Sequence, residues 1–560
     1  MYKPMKIIIV IIFLLTFFTL LLPLKRQTTL HTPHSTLHTP QNKPNNSAVN
    51  MPQRRPSLGE SATEVANCLD AHPHVSTGIF NEIRLFLELA VPTTLLNLGF
   101  TLSPLLTASY VGLKFGKTYL SAFSLANLTG NLCTFSLMSG MFSAADTLSP
   151  QAFGKGDYKE LGLLAIRGIA SAIVILVPIN IILVVYLETI LVATGQDPEA
   201  AYHAAQWYRI FVWALPFCVI FNVIWKFLSA QHVMKPLIYV SVFCCAFILP
   251  VALQVCTGRM GFLGSAVAYV IVQACQPVLL LIYLNWKQPH IAASWPGLCC
   301  WREALRWRSM VTYIHLGAGG ILAQSEWIYW EALGLIIGKL GVKELAVHTI
   351  PNQVVMAVSM APFSCGTALA IRMGVTLSNS VPRAKQIAIW TTIGSAIIFG
   401  LATIAIYVWQ WQIFGIFTTD EEVQQLAHKI WWKVCFFNLN IVIFAIFTGV
   451  ATGLGIQWTL GAVNFFFLWC FGIPITYHFA IVRGGGLNAA WTWINAPYTC
   501  MNITLVAIFC TKDWYMVHQK IRRGEIVEPT STDAPDTANT NETSRLLGDA
   551  ASHPLGSRNA

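Results

Sequence analysis

Charged residues are scarce in this chain. Only 11% of its 560 residues are Asp, Glu, Lys or Arg, against roughly 25% in an ordinary soluble domain. This scarcity excludes a soluble enzyme and a nucleic-acid-binding protein, and the net charge of +10 indicates basic residues gathered on the cytoplasmic side of a membrane. Paired cysteine motifs are also missing, because none of the 14 Cys has a C-x-x-C spacing. Their absence argues against a metal or redox centre and against a disulfide-stapled secreted domain.

Apolar runs are what the chain has in abundance, since 55% of its residues are hydrophobic. A membrane-crossing helix needs about 20 apolar residues, and this template fits twelve core spans and one N-terminal outlier. The core spans centre on residues 84–111, 118–144, 161–186, 206–228, 236–256, 262–285, 311–338, 345–372, 386–411, 430–452, 459–481 and 487–510. The pattern predicts an all-α polytopic membrane protein.

Basic residues are concentrated in the even-numbered connections. Lys155 and Lys159 follow span two, Lys226 and Lys235 follow span four, and similar groups follow spans six and eight. The positive-inside rule then predicts that these loops and both ends of the core are cytoplasmic.

Three segments lie outside the predicted spans and their short loops. Residues 1–26 contain an apolar run that we interpret as an uncleaved anchor or targeting segment, giving one extra N-terminal hydrophobic helix. Residues 27–80 are rich in Pro, Ser, Thr and Asn and are predicted to be a disordered linker. Residues 513–560 are predicted to be a disordered cytoplasmic tail. This tail contains an acidic dileucine pattern, made of Glu542, Leu546 and Leu547. We interpret it as a sorting signal to which an adaptor protein could bind.

The two halves of the core resemble each other. Ordered matches at an offset of 224 to 226 residues pair Pro250 with Pro474, Asn127 with Asn352 and Gly112 with Gly338. Each half has six spans, an even number, so both halves keep the same orientation. This predicts a parallel 6+6 repeat around a central cleft, with an N-lobe at 81–286, a cytoplasmic inter-lobe loop at 287–310 and a C-lobe at 311–512.

Three runs in this core resemble signature elements of the multidrug and toxic compound extrusion (MATE) family of secondary antiporters. They are Asp146-Thr-Leu-Ser-Pro-Gln151-Ala-Phe-Gly154 after span two, Arg372-Met-Gly374 after span eight, and Gly453-Leu-Gly455-Ile-Gln457 between spans ten and eleven. The resemblance covers residues 80–512. It implies export of organic cations, drugs or secondary metabolites in exchange for protons by alternating access. For Asp146 and Arg372, snorkelling or pairing within a loop is as good an interpretation as a role in gating.

Span seven contains two carboxylates in the run Glu326-Trp327-Ile-Tyr329-Trp330-Glu331. The run resembles a signature of the family's eukaryotic branch, where the resemblance implies proton coupling and cation recognition. A carboxylate inside the bilayer is costly, so each Glu is a functional candidate by default. Five residues separate them by roughly 140° around a helix, so they cannot face one spot. Each has an aromatic ring on its own face, and a ring beside a carboxylate suits an organic cation.

Competition between a proton and a cation for one carboxyl group is the predicted mechanism. Desolvation favours the neutral form of a buried carboxyl group and so allows protonation near neutral pH. We expect Glu331 to carry the exchange, releasing substrate when protonated and rebinding it when ionised. The alternative is a purely structural helix–helix hydrogen bond, which we assign more readily to Glu326.

Several positions depart from the family pattern. Thr107 stands where bacterial relatives have Asp, Gln353 stands where animal relatives have Glu, and residues 438–452 of span ten contain no acid. Proton coupling would therefore depend on span seven, and neutral or weakly charged substrates become plausible. Asn127, Asn352 and Gln353 are further candidates for the substrate cavity, with helix–helix hydrogen bonding as the alternative.

Other functions remain open from the sequence: a receptor or scaffold that retains the transporter fold, a sodium-coupled transporter, or a flippase for lipid-linked substrates. An enzyme is disfavoured because no nucleophile–base set or metal-ligand spacing is present. We expect no metal and no cofactor beyond the proton as coupling ion. The expected partners are a small organic substrate and the lipid bilayer, without nucleic acid. We further expect a monomer in the plasma membrane or a vacuolar or lysosomal membrane.

Overall fold

A computed structural model describes residues 78–287, 300–417 and 420–525, together with positions 290, 291, 294, 295, 297 and 527. All regular secondary structure among these residues is helical. The N-terminal segment, most of the linker and the distal tail lie outside the described residues, and so does the dileucine pattern of Glu542, Leu546 and Leu547.

The N-lobe contains nine α-helices, several of which join end to end to make one span. They are α1 (Ile79–Phe115), α2 (Lys117–Gly130), α3 (Ser136–Lys155), α4 (Tyr158–Ala193), α5 (Pro198–Phe211), α6 (Leu215–Ala230), α7 (Lys235–Phe243), α8 (Leu249–Met260) and α9 (Gly264–Lys287). Widened π-helical turns join α2 to α3 and α7 to α8, at Asn131–Phe135 and Cys244–Ile248. Span two is thus α2 with α3, span four is α5 with α6, and span five is α7 with α8.

Among the described residues, the inter-lobe loop, the C-lobe and the segment after it contain eleven α-helices. They are α10 (Trp301–Ala304), α11 (Trp307–Ala323), α12 (Ser325–Gly338), α13 (Val342–Leu377), α14 (Val381–Val408), α15 (Gln410–Phe417), α16 (Glu421–Leu454), α17 (Gln457–Asn464), α18 (Ile473–Tyr477), α19 (Gly486–Thr511) and α20 (Trp514–Arg523). Span seven consists of α11 and α12. Span eleven consists of α17, α18 and two π-helical turns, Phe465–Gly472 and His478–Val482.

The predicted spans correspond to these helices. Nine helical stretches among the described residues are long and apolar enough to cross a membrane, and one of them, Lys235–Lys287, has 53 residues. That stretch reverses at Gly261, which has a φ of 61°, so it holds spans five and six. Span two is rich in Ser, Thr and Gly, and span seven is divided into helices of 17 and 14 residues. With these two added, the twelve predicted crossings are all present as helices.

Side-chain caps fix several of the turns between spans. Asp157 accepts a hydrogen bond from the backbone N–H of Glu160 at the start of α4, and Asp197 does the same for Ala200 at the start of α5. Such caps satisfy backbone donors that a helix start leaves free. At the other end, Gly156 closes α3 in the left-handed conformation, which glycine adopts without steric strain.

Each lobe has its own hydrophobic core. One large cluster of buried side chains is built almost entirely from α1 to α9, and a second is built from α12 to α20. Where the lobes meet, backbones approach closely: a Cβ atom added at Gly140 would lie 2.5 Å from the Cα of Ile321. The two clusters confirm the predicted division into two lobes of six spans.

The prediction of a disordered tail from residue 513 is wrong for its first part. Helix α20 follows span twelve directly and buries Trp514, Val517 and Ile521 against the C-lobe. Asp513 caps its first turn by accepting hydrogen bonds from two backbone N–H groups. The apolar residues are spaced i, i+3 and i+7, which gives an amphipathic helix with one buried face. The many basic residues of this segment conceal that spacing.

Candidate functional site

Span seven is interrupted near its middle. Helix α11 ends at Ala323, and α12 begins at Ser325 after a turn at Gln324. Glu326 is the second residue of α12, so its carboxylate lies in the first turn of a helix, where free backbone N–H groups favour negative charge. Transporters commonly place substrate and coupling-ion sites at such discontinuous helices.

Glu326 is the more deeply buried of the two carboxylates, with 4% of the residue exposed. Its Oε1 accepts a hydrogen bond of 2.8 Å from the hydroxyl of Tyr498 on α19. The Tyr498 oxygen in turn accepts a hydrogen bond of 3.0 Å from the indole Nε1–H of Trp330. Three spans thus meet at this point, because the Phe437 ring of α16 lies 4.8 Å from the Tyr498 ring and 5.1 Å from the Trp330 ring, centroid to centroid. We call Glu326, Trp330, Phe437 and Tyr498 the C-lobe carboxylate site.

Glu331 has a different environment. It lies five residues further along α12, and its side chain is exposed. The expected divergence of the two carboxylates around the helix is therefore present. The helix–helix hydrogen bond that we assigned more readily to Glu326 is also present. Tyr329 is fully buried beside Tyr498, and the Trp327 ring lies 5.8 Å from that of Phe363 on α13.

The predicted cavity amides are not part of the C-lobe carboxylate site. Asn127 is half-buried on α2 of the N-lobe, Asn352 is half-buried on α13, and Gln353 is exposed on α13. The hydrogen-bond partner of Glu326 is Tyr498 rather than any of these three. Their contribution to a substrate cavity stays a prediction.

The family-like run after span two packs against the C-lobe. Gln151 Nε2 donates to the carbonyl oxygen of Gly453 at 3.2 Å, and Ser378 Oγ donates to the carbonyl oxygen of Gln151 at 3.1 Å. Gly154 allows a close approach of the two backbones, because a Cβ atom there would lie 2.4 Å from the carbonyl oxygen of Val375. The runs that the sequence singled out separately are thus joined across the lobe boundary.

Gly374 completes this contact between the runs. A Cβ atom at Gly374 would lie 3.0 Å from the Cβ of Pro150. Asn379 Nδ2 also donates to the carbonyl oxygen of Gly154 at 3.0 Å. These residues lie at the end of the bundle that carries the basic loops after spans two, four, six and eight, which we call the basic end.

A buried ion cluster lies in the same region and joins the two lobes. Glu82 of α1 accepts from Arg372 of α13 at 2.7 Å and from Arg383 of α14 at 3.0 Å. Arg372 is 1% exposed and also donates to Nε2 of His232, which belongs to the N-lobe. Snorkelling of Arg372 is therefore wrong, because the guanidinium is buried between the lobes. We call the contacts of residues 150–154 with 374–379 and 453, together with this ion cluster, the basic-end seam.

Asp146 has a different partner from Arg372. Its carboxylate lies 2.8 Å from Nζ of Lys226 on α6, within the N-lobe. This partner lies on another span, 80 residues along the chain, so the pair is not formed within a loop. Asp146 thus supports the N-lobe side of the seam rather than crossing it.

Two charged residues that the sequence analysis did not select are important in the structure. Glu82 stands two residues before the predicted start of span one and gave no signal beyond its charge. Lys433 lies inside predicted span ten, and an ammonium group within a span was a signal that could have been used. Its Nζ donates to three oxygens of α19, namely Asn488 O, Asn488 Oδ1 and Thr492 Oγ1.

Two six-span lobes related by a parallel repeat, with a buried carboxylate at a broken helix, define a secondary transporter. A model of the MatE family matches residues 92–254 and 323–478, more than half of the chain. The chain therefore belongs to the MATE family, in its eukaryotic branch, and is a multi-pass membrane transporter rather than an enzyme.

Known relatives are similar over most of their length. An uncharacterised transporter of Schizosaccharomyces pombe is 26% identical over 452 residues, which cover 79% of this chain and 83% of that protein. Multidrug and toxin extrusion protein 2 of Oryctolagus cuniculus is 26% identical over 487 residues, covering 84% and 79%. The crystal structure of the eukaryotic MATE transporter AtDTX14 superposes with a TM-score of 0.73 at 22% identity, covering 80% of this chain and 99% of that one. This last likeness concerns the fold.

Proposed function

We propose that this transporter exports organic compounds in exchange for protons by alternating access, and that Glu326 carries the proton. The observation that carries the proposal is the burial of Glu326 at the break in span seven. Its oxygen accepts one hydrogen bond from a neutral donor, the Tyr498 hydroxyl. With no cation paired to it among the described residues, burial favours its protonated form, and an incoming organic cation favours its ionised form.

The aromatic rings favour binding of the organic cation that competes with the proton for Glu326. The Phe437 ring packs edge to face on Trp330 and on Tyr498, the Trp330 and Tyr498 rings are tilted against each other, and the three centroid distances are 4.8–6.4 Å. Ring faces attract organic cations, and the ionised carboxylate would neutralise the charge. Binding of a proton at Glu326 removes that negative charge and so weakens cation binding at the same site.

Glu331 has a separate role in this proposal. Because its side chain is exposed on α12, we assign it a role that does not require burial. It would attract a cationic substrate toward span seven without itself exchanging the proton. We therefore assign the proton exchange to Glu326, whereas the sequence alone assigned it to Glu331.

The basic-end seam supports an assignment of this structure to one state of the proposed transport cycle. Hydrogen bonds and ion pairs join the two lobes there, from Glu82 with Arg372 to Gln151 with Gly453. Since basic loops favour the cytoplasmic side, we propose that the cleft is closed toward the cytoplasm in this structure. Export then requires that the seam separates, so that substrate can enter from the cytoplasm.

The same charges bear on the substrate class. Span one has a buried Thr107, and span ten has a neutral Asn440, whose amide donates to Asn495 Oδ1 of α19. With one buried carboxylate in this site, a single positive charge can be neutralised. We therefore propose singly charged or uncharged organic substrates rather than polycations.

Purified protein in proteoliposomes with an imposed pH gradient tests the proposal. Efflux of ethidium, a fluorescent cation, should be gradient-dependent in the wild type and lost in Glu326→Gln, whose amide keeps the shape but cannot exchange the proton. Glu331→Gln should raise KM for ethidium and leave transport of an uncharged compound unchanged. Glu421→Gln, at an exposed acid that starts α16, is the matched control.

Two results would contradict this function. Unchanged proton-driven efflux in folded Glu326→Gln protein would remove Glu326 from the mechanism. Efflux driven by a sodium gradient, with no response to the pH gradient, would replace the proton as the coupling ion. Thermal unfolding of each variant establishes that it is folded.

A further inference from the structure

The inter-lobe loop carries a basic and aromatic surface that the proposed transport mechanism does not use. Its six residues are all exposed, and they are Trp301, Arg302, Leu305, Arg306, Trp307 and Arg308. We call these six residues the loop patch. Trp307 is 80% exposed and Trp301 is 52% exposed, and tryptophan side chains are enriched where a protein meets the headgroups of a bilayer. The loop patch therefore has the composition of a surface that contacts a membrane interface.

The loop patch has a defined position because the segment that carries it packs on span three. Ala304 of α10 is fully buried against apolar side chains of α4. Its carbonyl oxygen accepts a hydrogen bond of 2.8 Å from Nε of Arg167, and Glu303 forms an ion pair of 2.7 Å with Lys159. These contacts hold one side of the segment on the N-lobe and leave the loop patch exposed.

The positive charge of the loop patch is not compensated within the described residues. Other cations at the basic end do have carboxylate partners, since Arg372 and Arg383 contact Glu82, and Lys226 contacts Asp146. The three arginines of the loop patch form no ion pair in the described part of the chain. The one carboxylate between them is already paired with a lysine of α4. A negatively charged group would therefore complement this surface.

The depth of the loop patch along the bundle matches that of lipid headgroups. Trp307 is the first residue of α11, so the patch lies where span seven enters the hydrocarbon region. The cytoplasmic leaflet of a membrane is the anionic one. The Arg302 guanidinium lies 5.5 Å from the centroid of the Trp301 ring, and guanidinium groups bind phosphate through two parallel hydrogen bonds. An anionic phospholipid matches both the charge and the depth, whereas a soluble anion matches only the charge.

We propose that the loop patch binds the headgroup of an anionic phospholipid, with its three arginines contacting the phosphate group and its two tryptophans lying at the interface beside it. The bound lipid holds the segment that connects the two lobes at the level of the headgroups. Lipid binding here uses the cytoplasmic orientation proposed for the basic end, and it is independent of the proton exchange proposed at Glu326.

Binding of a fluorescent phosphatidylserine to the full-length protein in dodecyl maltoside micelles tests the loop patch, with fluorescence anisotropy giving the dissociation constant. Unlabelled phosphatidylserine should displace the labelled lipid, whereas phosphatidylcholine and millimolar inorganic phosphate should not. Each basic residue strengthens binding to an anionic leaflet about 5-fold, so Arg302→Gln combined with Arg306→Gln should weaken binding about 25-fold. The matched control removes two exposed arginines from the opposite end of the bundle, Arg259→Gln with Arg483→Gln, and should leave the dissociation constant unchanged.

The outcomes separate a lipid site from a general effect of charge and from the proposed function. An unchanged dissociation constant in the loop-patch variant overturns the proposal, and so does an equal loss of binding in the control variant. Displacement of the labelled lipid by inorganic phosphate or by phosphatidylcholine overturns the anionic lipid as the occupant. The substituted arginines are exposed, so the unfolding temperature without lipid should stay unchanged, and Arg302→Gln alone, with a weakening of about 5-fold, serves if the double variant does not fold. Ethidium efflux in Glu326→Gln is measured separately, so lipid binding and proton exchange can fail independently.

Discussion

Glu82 is the residue at which the basic-end seam can be weakened most selectively. Its carboxylate compensates Arg372, which is almost completely buried, and Arg383, which is partly buried. The isosteric Glu82→Gln variant keeps hydrogen-bonding capacity but removes the negative charge. Removing one partner of a buried ion pair destabilises the arrangement by about 3–5 kcal/mol, because the other charge remains uncompensated.

Separation of the lobes relieves much of this penalty, since it allows water to reach the guanidinium of Arg372. The destabilisation therefore falls mainly on the sealed state, and each 1.4 kcal/mol changes an equilibrium tenfold. A change of about 3 kcal/mol should raise the ratio of unsealed to sealed protein on the order of 100-fold. The variant is expected to favour the state open at the basic end.

Hydrogen–deuterium exchange of the full-length protein in lipid nanodiscs measures this shift. Peptides covering 147–156 and 372–380 should exchange up to about 100-fold faster in Glu82→Gln than in the wild type, because opening exposes their amides. Glu88→Gln is the matched control on the same helix, since Glu88 forms an exposed pair with Arg84 that contributes about 0–1 kcal/mol. Equal exchange in Glu82→Gln, Glu88→Gln and the wild type would refute the assignment of Glu82 to the seam.

Three further substitutions have defined outcomes. Gly154→Ala should strain the seam by about 1–3 kcal/mol and accelerate hydrogen exchange of the same peptides. Gly400→Ala, at a glycine with open space around it, should not. Equal exchange rates in the two variants would argue against close packing at Gly154. Tyr498→Phe leaves the Trp330 N–H without its acceptor. The folding free energy should fall by about 1–3 kcal/mol, which lowers the unfolding temperature and slows proton-driven ethidium efflux. An unaltered unfolding temperature and efflux rate would argue against the hydrogen-bond chain. Trp514→Ala should destabilise the docking of α20 by about 3–5 kcal/mol, detected as faster exchange of residues 514–523, whereas an unchanged rate would contradict its burial.

In span seven, some features follow from the local sequence and others from packing against distant helices. The run of apolar residues predicts a span, and a helical period separates Glu326 from Glu331 by angle. No Pro and no Gly in the left-handed conformation marks the break at Gln324. Just before the break, α11 packs closely on α3, where a Cβ atom at Gly320 would lie 2.3 Å from the carbonyl oxygen of Gly140. The burial of Glu326 therefore depends on contacts with other helices.

The seam shows the same division between pattern and packing. The runs around Gln151, Arg372 and Gly453 stood out in the sequence by their resemblance to a family, without any indication that they touch. Glu82 stood out by nothing except its charge, since its two partners lie 290 and 301 residues away in the chain. Separations of this length leave no periodic trace in the sequence.

The sequence by itself determined the class of this protein, the number of its spans, the duplicated six-span lobes and the short set of carboxylates available inside the membrane. These features follow from hydrophobic length and composition, which are properties of contiguous residues. Only the tertiary structure decided that Glu326 is buried against Tyr498 while Glu331 is exposed, that Glu82 joins the lobes at the basic end, and that α20 packs on the C-lobe. Each of these features depends on which faces of distant helices pack together. Burial and ion pairing between distant residues are therefore not contained in the sequence of any one segment.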